Sequence, residues 1–182
     1  ILGFAGLIGA GRTELLEAML GLSPRAGGEI RVDGEPVAIA DVRDAMRAGI
    51  TYLSEDRKGK GVLLRHSLKA NLTLAALDRY RRGPLIDGAK EDKALDEAIF
   101  RFAIRVKRRD LKAGELSGGN QQKLLIAKMM QLDPGIIVFD EPTHGVDIGA
   151  RAEIYRVIAD LAAIAKSVVV VSSEMQELIG LC

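Results

Sequence analysis

The sequence is poor in the residues that mark disulfide-bonded or zinc-binding proteins. Its 182 residues include a single cysteine, Cys182, and two histidines, His66 and His144. One cysteine excludes an internal disulfide and is typical of a reducing compartment. The two histidines lie far apart and have no neighbouring ligand residues, so the sequence does not predict a zinc site.

Neither an excess of one charge nor a long apolar segment is present. The chain has 26 basic and 25 acidic residues, so its composition gives no electrostatic reason to expect a nucleic acid as partner. The basic run RVKRRD at 105–110 is interpreted as a solvated helix end. The apolar runs GIIVF and SVVVVSS are far shorter than the roughly 20 residues that cross a bilayer. We therefore expect neither a transmembrane helix nor a signal peptide.

What the sequence does contain is 48% hydrophobic residues, enough for one domain with a core. Strands that are apolar throughout are typical of a parallel sheet covered by helices on both faces. Residues 1–5 are predicted to be such a buried strand, and Asp33-Gly34 predicts a hairpin turn. The fold class is therefore α/β. Further strands are predicted at 49–54, 135–140 and 167–173, and helices at 13–20, 41–48, 118–131 and 147–166.

A helical insertion is predicted between the strands. From 67 to 112, apolar residues recur at spacings of three and four, and long charged side chains fill the remaining positions. We expect one domain over 1–182, with a sheet core at 1–66 and 132–182 and a helical part at about 67–131. The polar, glycine-rich loop before the insertion is expected to be a mobile connector. Because the chain starts on a strand without Met, we expect a piece of a longer polypeptide, truncated at both ends.

The first segment with a chemical signature is GFAGLIGAGRTE, which follows the predicted first strand. Gly6, Gly9 and Gly11 supply a turn in which consecutive backbone N–H groups converge on a phosphate, and the next helix adds its positive end. Thr13 stands where a hydroxyl ligates Mg²⁺ in the pattern G-x-x-x-x-G-K-[ST], but Arg12 replaces the lysine. The alternative for this segment taken alone is a glycine-rich strand-to-helix turn that binds nothing.

The second segment, IIVFDEPTHGVD, places acids after a buried strand. Asp140 at the end of the strand suits a carboxylate that holds Mg²⁺, and Glu141 can orient or deprotonate a water in phosphoryl transfer. The alternative is that the acids cap a helix. That alternative explains one acid after a strand, but not the pair together with Asp147.

The third segment, LSGGNQQK, opens a helix whose first turn lacks bulk. Ser117 and the N–H groups of Gly118 and Gly119 are suited to hold a phosphate that arrives from outside. As an isolated helix start this segment carries little information. Together with the other two segments, in this order, it is highly specific.

With these three segments the chain resembles the nucleotide-binding domain of an ABC transporter over essentially its whole length. GLIGAGRTE resembles the Walker A loop, LSGGN the ABC signature, IIVFDE the Walker B strand and HGVD the D-loop. The segments YLSEDRKGKGV and LSGGNQQK are similar to those of the second of two tandem domains in bacterial importers of ribose, xylose and similar sugars. The resemblance implies a P-loop NTPase fold of ABC type.

The resemblance also implies the site and its cofactors, ATP and Mg²⁺. Thr13 and Asp140 would hold the metal ion, and Glu141, Glu55 and Ser173 occupy the catalytic positions. The positions that bind the domain's own ATP are Gly6, Gly9, Ala10, Gly11, Arg12, Thr13 and Glu14. The positions offered to the ATP of a partner domain are Leu116, Ser117, Gly118, Gly119 and Asn120, beside Asp147 of the D-loop.

The partners follow from the same resemblance. In that family two domains meet head to tail, and each ATP lies between one Walker A loop and the other signature. A second ABC domain, membrane permease subunits and, indirectly, a periplasmic sugar-binding protein are therefore expected. The region from Glu55 into the helices would receive the permease, which implies a peripheral location at the cytoplasmic face of the inner membrane.

Three positions depart from an active ABC domain, and all lie around its own γ-phosphate. Arg12 replaces lysine, Glu55 replaces a glutamine and Ser173 replaces a histidine. Losing one such contact costs on the order of 10²- to 10³-fold in rate, so we expect a site that binds Mg·ATP but turns it over slowly. Asn120, where glutamine is usual, is a mild change.

Two other classes remain open. One is a regulatory or structural module in which ATP holds a dimer shut without hydrolysis. The other is a soluble ABC ATPase of DNA repair or translation, which the near-neutral charge and the short helical insertion, with no room for a coiled-coil arm, disfavour.

Overall fold

The computed structural model describes residues 1–7 and 9–182, and within them a parallel sheet organises the chain. The strands, in chain order, are Leu2–Ala5 (β1), Ile30–Val32 (β2), Glu35–Val37 (β3), Ile50–Leu53 (β4), Arg81–Arg82 (β5), Leu85–Ile86 (β6), Ile136–Asp140 (β7) and Ser167–Ser172 (β8). Four of them form the main sheet in the order β1-β8-β7-β4, and every neighbouring pair is parallel. The predicted α/β class with a parallel sheet is confirmed.

The described residues form seven α-helices, six of them between strands and the last after β8. They are Arg12–Met19 (α1), Val42–Arg47 (α2), Leu68–Thr73 (α3), Gly88–Arg101 (α4), Gly118–Met130 (α5), Ile148–Ala163 (α6) and Met175–Leu181 (α7). A π turn at Arg57–Gly61 and two 3₁₀ segments, Leu74–Tyr80 and Ala113–Glu115, complete the regular structure. The four helices predicted from the sequence are present, and each predicted boundary falls within a few residues of the observed one. In the part of the chain that is described, no helix is both long and apolar enough to span a bilayer.

The prediction that residues 1–5 form a buried strand is wrong in one respect. β1 is a strand, but it pairs only with β8 and lies at one edge of the sheet. Its face at Gly3 is covered by α7, where an added Cβ would lie 2.9 Å from Sγ of Cys182. The opposite face is open, so Leu2 is 56% exposed. An apolar sequence alone does not tell an edge strand from a central one.

One hydrophobic core joins the sheet to the helical insertion. Leu124 on α5, Phe139 on β7 and Ile154 on α6 belong to the same buried cluster as Leu72 and Leu95 of the insertion. Because α5 packs against both parts, its position relative to the sheet is fixed by apolar contacts on several sides.

Two features of the insertion differ from the sequence-based expectation. The connector before it is not an irregular loop, because Arg57–Gly61 forms a π turn and both Arg57 and Val62 are buried. The short antiparallel pair β5–β6 interrupts the helices, with Arg82 opposite Leu85. The helical periodicity of the flanking residues gave no signal for that pair. The predicted hairpin turn at 33–34 is confirmed between β2 and β3.

Candidate functional site

The glycine-rich loop lies between β1 and α1 and lines a cavity. Gly9 and Gly11 have φ values of 83° and 82°, a left-handed conformation that side chains with a Cβ rarely adopt. Gly11 is the N-cap of α1, so the first N–H groups of that helix face the loop. The cavity has a volume of about 310 Å³ and is lined by Gly9, Ala10, Gly11, Arg12, Thr13, Glu14, Glu55, Glu141, His144 and Ser173. The fold therefore gathers residues from four separate parts of the sequence.

Asp140 ends β7 beneath this loop and is almost fully buried. Its Oδ2 accepts hydrogen bonds from the Thr13 hydroxyl at 2.9 Å and from the Tyr52 hydroxyl at 2.8 Å. Burial and the bond to Asp140 raise the pKa of Tyr52, so this phenol stays protonated and donates. The sequence analysis missed Tyr52. Tyr52 lies on β4, whose pairing with β7 brings it beside Asp140, and the sequence alone gives no signal of that pairing.

The other oxygen of Asp140 fits a cation. Oδ1 is buried and has no hydrogen-bond partner among the described residues, and an unpaired buried carboxylate oxygen is costly. Within the same residues, no group of three or more histidines, cysteines or acids could hold a metal without help. Mg²⁺ bound with a nucleotide needs only one or two protein ligands beside phosphate oxygens and water. Thr13 and Asp140 are therefore a donor set that suits Mg²⁺ delivered with a triphosphate.

Two of the three unusual residues meet at Glu141. Nη2 of Arg12 lies 3.4 Å from Oε1 of Glu141. The backbone N–H of Ser173 donates to the same oxygen at 2.7 Å, and the Ser173 hydroxyl donates to Oε2 at 3.1 Å. Arg12 reaches this carboxylate along the loop, because its Cδ would lie 3.1 Å from a Cβ added at Gly6. Glu141 is also held in a left-handed backbone conformation, with φ of 46°. Both of its oxygens are engaged within the chain.

The third unusual residue, Glu55, pairs with a histidine. Nδ1 of His144 lies 3.1 Å from Oε1 of Glu55 at the mouth of the cavity, where both side chains are partly exposed. The sequence analysis did not anticipate this pair, because the two residues come from loops after different strands.

The signature segment lies on a different surface. None of residues 116–120 lines the cavity of the glycine-rich loop. Ser117 is the exposed N-cap of α5, and its hydroxyl accepts from Nδ2 of Asn120 at 2.9 Å rather than capping the helix. Leu116 and Gly119 are buried, and a Cβ added at Gly119 would lie 2.5 Å from Cβ of Ala150 on α6. A phosphate that reached Ser117 would therefore have to come from outside the chain.

Asp147 has a structural role that is visible directly. It is the N-cap of α6, and its carboxylate accepts from the backbone N–H of Ala150 at 2.9 Å. Capping thus explains Asp147, whereas Asp140 and Glu141 cap no helix and point to the glycine-rich loop instead.

The hydroxyl of Thr13 at the start of α1 is bonded to a buried aspartate at the end of a strand, which is the arrangement of a P-loop nucleotide-binding domain. The separate turn with Ser117 exposed at its start adds the feature of the ABC type. The chain belongs to the ABC transporter family, whose family model matches residues 1–144. ATP binding is a property of that family's domain.

The relatives are named for sugar import. The chain is 44% identical over 181 residues to the ribose import ATP-binding protein RbsA of Yersinia pestis, a match that covers all of this chain and 36% of that protein. It is 45% identical over 182 residues to ribose import ATP-binding protein RbsA 2 of Rhizobium etli, again with 36% of the relative covered. The chain thus spans about a third of the length of these curated relatives.

Solved structures share the fold. A nucleotide-free ATP-binding cassette from an ABC transporter superposes with a TM-score of 0.82 at 18% identity, covering all of this chain and 73% of that one. A dimeric cassette in a post-hydrolysis state with ADP and Pi superposes with a TM-score of 0.78 at 22% identity, covering 97% of this chain and 76% of that one. The P-loop NTPase fold of ABC type is confirmed.

Proposed function

We propose that this chain is an ATP-binding domain of a carbohydrate importer, acting with a second ABC domain at a head-to-tail interface. The names of the relatives support ribose or a similar sugar as the transported solute. In this proposal the chain is one domain, with its sheet core at 1–66 and 132–182 and its helical part at about 67–131. A periplasmic sugar-binding protein acts indirectly, and the domain works peripherally at the cytoplasmic face of the inner membrane.

The residues around the cavity supply nucleotide binding. The N–H groups of residues 9–14 at the start of α1 receive the phosphates, and Thr13 with Asp140 holds Mg²⁺. That ion, when bound, neutralises phosphate charge and orients the phosphates. Glu141 is placed to accept a proton from water, and Glu55 and Ser173 flank the same space.

The observation that carries the finer proposal is the engagement of Glu141. A base whose oxygens accept from Ser173 and face the Arg12 guanidinium must release these contacts before it can hold an attacking water. We therefore assign slow turnover to this domain's own site. Its productive contribution is the signature turn at 116–120, whose Ser117 is exposed, offered with the nearby Asp147 to ATP bound by the partner domain.

The experiment compares two variants of the full transporter. Ser117→Arg places a long cation where the partner's ATP would dock and is expected to abolish ATPase activity. Arg12→Ala alters only this domain's own site and is expected to leave a larger part of it. Turnover of both is measured in the assembled complex with its permease. The opposite ranking would refute the asymmetry, and no effect of either would refute the head-to-tail arrangement.

A groove between the sheet and the helical part supports the permease as partner. It has a volume of about 410 Å³ and an apolar lining that includes Val42, Met46, Leu125 and Met129. At the groove, Nζ of Lys60 lies 3.1 Å from the carboxylate of Glu17. A short amphipathic helix of the permease fits such a groove.

Cross-linking tests the permease contact. In a Cys182→Ser background, which removes the exposed native thiol, cysteines introduced at Leu63 or Leu64 are expected to cross-link to the permease. Permease without an engineered cysteine is the control. Failure at every position from 61 to 68 would contradict a contact between this segment, which adjoins the groove at Gly61, and the permease.

Two alternative functions predict different measurements on the assembled transporter. A regulatory module without hydrolysis predicts no turnover change when Glu141→Gln and its counterpart in the partner domain are combined. A soluble ABC ATPase of DNA repair or translation predicts retention of labelled DNA or RNA on filters at moderate salt. The balance of 26 basic and 25 acidic residues argues against that second class.

A further inference from the structure

An unpaired arginine lies beneath the signature turn. Arg57 is 8% exposed, and its Nη1 makes one long hydrogen bond of 3.4 Å to Oε1 of Gln122 on α5. Its Nε is buried without a partner among the described residues. Its Nη2 points at the first residue of α5, since a Cβ added at Gly118 would lie 3.3 Å from it.

The acids beside Arg57 in the sequence are used elsewhere. Glu55 pairs with His144, and the Asp56 carboxylate accepts from the backbone N–H of Gly59 at 2.9 Å. In the part of the chain that the structure describes, no carboxylate lies within ion-pair distance of Arg57. Its guanidinium is therefore a buried cation without a counter-ion.

This arrangement is unfavourable for the isolated chain. Burial lowers the pKa of Arg57, because a charged group is desolvated without compensation. The start of α5 adds to the strain, since a helix N-terminus carries positive partial charge and a cation there is repelled. An anion bound at the turn would relieve both costs at once.

The backbone holds Arg57 in this place firmly. Its π turn is fixed to α5, because Nζ of Lys128 donates to the carbonyl of Gly61 at 2.9 Å. Gly61 itself is packed so closely that an added Cβ would lie 2.8 Å from Leu125. On its other side, the Arg57 N–H donates to the carbonyl of Glu55 at 2.8 Å, and Glu55 lines the nucleotide cavity. The turn therefore ties the signature helix to the edge of the domain's own site.

We propose that Arg57 is a positioning residue of the signature half-site: its charge, acting across Gly118, helps the turn at 117–119 hold the phosphates of ATP carried by the facing domain. The proposal rests on the head-to-tail function proposed above. The sequence predicts a mobile connector at 55–61. The proposal gives this segment a role that requires it to be held in place against α5. The geometry explains why a cation is kept in a buried position that offers it no acid.

The test uses the full-length protein with its permease and compares three substitutions. Arg57→Met keeps much of the volume and removes the charge, Arg57→Lys keeps the charge, and Lys58→Met removes an exposed cation from the same turn. Arg57→Met is expected to lower the kcat of ATP hydrolysis by about 10- to 100-fold. Its melting temperature should fall little, because replacing an unpaired buried ion by an apolar side chain is often neutral or stabilising and offsets the loss of the long bond to Gln122. Arg57→Lys should recover most of the loss, and Lys58→Met should have little effect.

A structural role would give a different pattern. If Arg57→Met lowers melting temperature and turnover together, and Arg57→Lys recovers neither, the proposal is overturned. Because Arg57→Met leaves the buried Gln122 carbonyl unpaired, Arg57→Met/Gln122→Leu is made as well. If the single variant misfolds, the turnover of the double variant decides.

Comparing Ser117→Arg with Arg57→Met distinguishes a failure of the role of Arg57 from a failure of the head-to-tail function. Ser117→Arg is measured in the same preparation. Lost turnover in Ser117→Arg, with Arg57→Met within about twofold of the wild type, overturns the role of Arg57 alone. Unchanged turnover in Ser117→Arg overturns the head-to-tail function itself.

Discussion

The two surfaces that can face a triphosphate differ in how their charges are paired. Around the glycine-rich loop, Arg12 faces Glu141, and His144 faces Glu55. Beneath the signature turn, Arg57 has no acid within reach in the described part of the chain. At the first surface the arginine has a carboxylate partner within the chain, whereas at the second the arginine has none among the described residues.

This difference affects what each surface can do for a bound phosphate. A paired group must give up its partner before it can contact a ligand, which costs part of the binding free energy. An unpaired cation that already lies near the phosphate site has no such cost. Charge that is preorganised in this way is usually the largest single contribution to transition-state stabilisation. Substitutions that alter one surface at a time can therefore test the difference between the two.

The largest effect is expected from Gly119→Val, which disturbs the signature surface. A Cβ at this position would lie 2.5 Å from Cβ of Ala150, so α5 and α6 must move apart. Overpacking of this kind costs about 1–3 kcal/mol, which for a domain of this size lowers the melting temperature by roughly 2–4 °C per kcal/mol. Because the shift displaces the start of α5, ATPase activity of the full transporter should fall as well.

Gly88→Ala is the matched control for that variant. Gly88 opens α4, and no atom lies within 4 Å of an added Cβ. Its melting temperature should stay equal or rise slightly, since alanine has less backbone freedom to lose on folding. An unchanged melting curve for Gly119→Val, measured by circular dichroism beside this control, would show that α5 is not held as tightly as its packing indicates.

A smaller effect is expected from Arg12→Lys at the paired surface. The shorter ammonium can be wrapped by the loop and leave Glu141, so ATP should bind about tenfold more tightly, or about 1.4 kcal/mol. The wild-type chain is expected to bind a fluorescent ATP analogue with a Kd weaker than about 100 µM. Titration of both proteins measures the difference.

Arg12→Met separates the two contributions to that change. It releases Glu141 in the same way but offers no charge to the phosphates, so it should not tighten binding. A sub-micromolar Kd for the wild type, or equal constants for Arg12→Lys and Arg12→Met, would contradict the account of the paired surface.

The sequence was sufficient for features that depend on local pattern. Gly9 and Gly11, the apolar strand ending in Asp140, and the helix after Ser117 are each specified by neighbouring residues. The spacing of glycines and apolar residues determines them, so their positions relative to the sheet could be stated before any coordinates.

The missed features all join residues distant in the sequence. Tyr52 reaches Asp140 across 88 positions, and Arg57 reaches Gln122 across 65. The sequence provides the residue types but not the register that brings them together. The exposure of β1 was missed for a similar reason, because an edge position depends on the whole strand order.

The smallest effect is expected on stability at low pH. It acts through an ion pair that holds α5, the helix that begins at the signature turn, against α6. Lys123 on α5 is 2% exposed and lies 2.8 Å from the carboxylate of Glu153 on α6. Its hydrogen bond holds the pKa of Glu153 below the ordinary value. A depressed folded-state pKa contributes stability that is complete above the unfolded value, about 4.3. That stability is lost as the pH falls through the folded value.

The stability advantage of the wild type over Glu153→Gln should therefore shrink as the pH falls below about 4. Glu97→Gln is the control, because Glu97 pairs with Lys93 only at 3.9 Å and both side chains are largely exposed. Its melting temperature relative to the wild type should change little with pH, since exposed pairs contribute about 0–1 kcal/mol. Equal pH dependence of the two variants would mean that the buried ammonium of Lys123 is satisfied by the carbonyl of Ala103, its other acceptor, without Glu153. The attachment of α5 to α6 would then be apolar alone, and the signature surface would keep its position in acid.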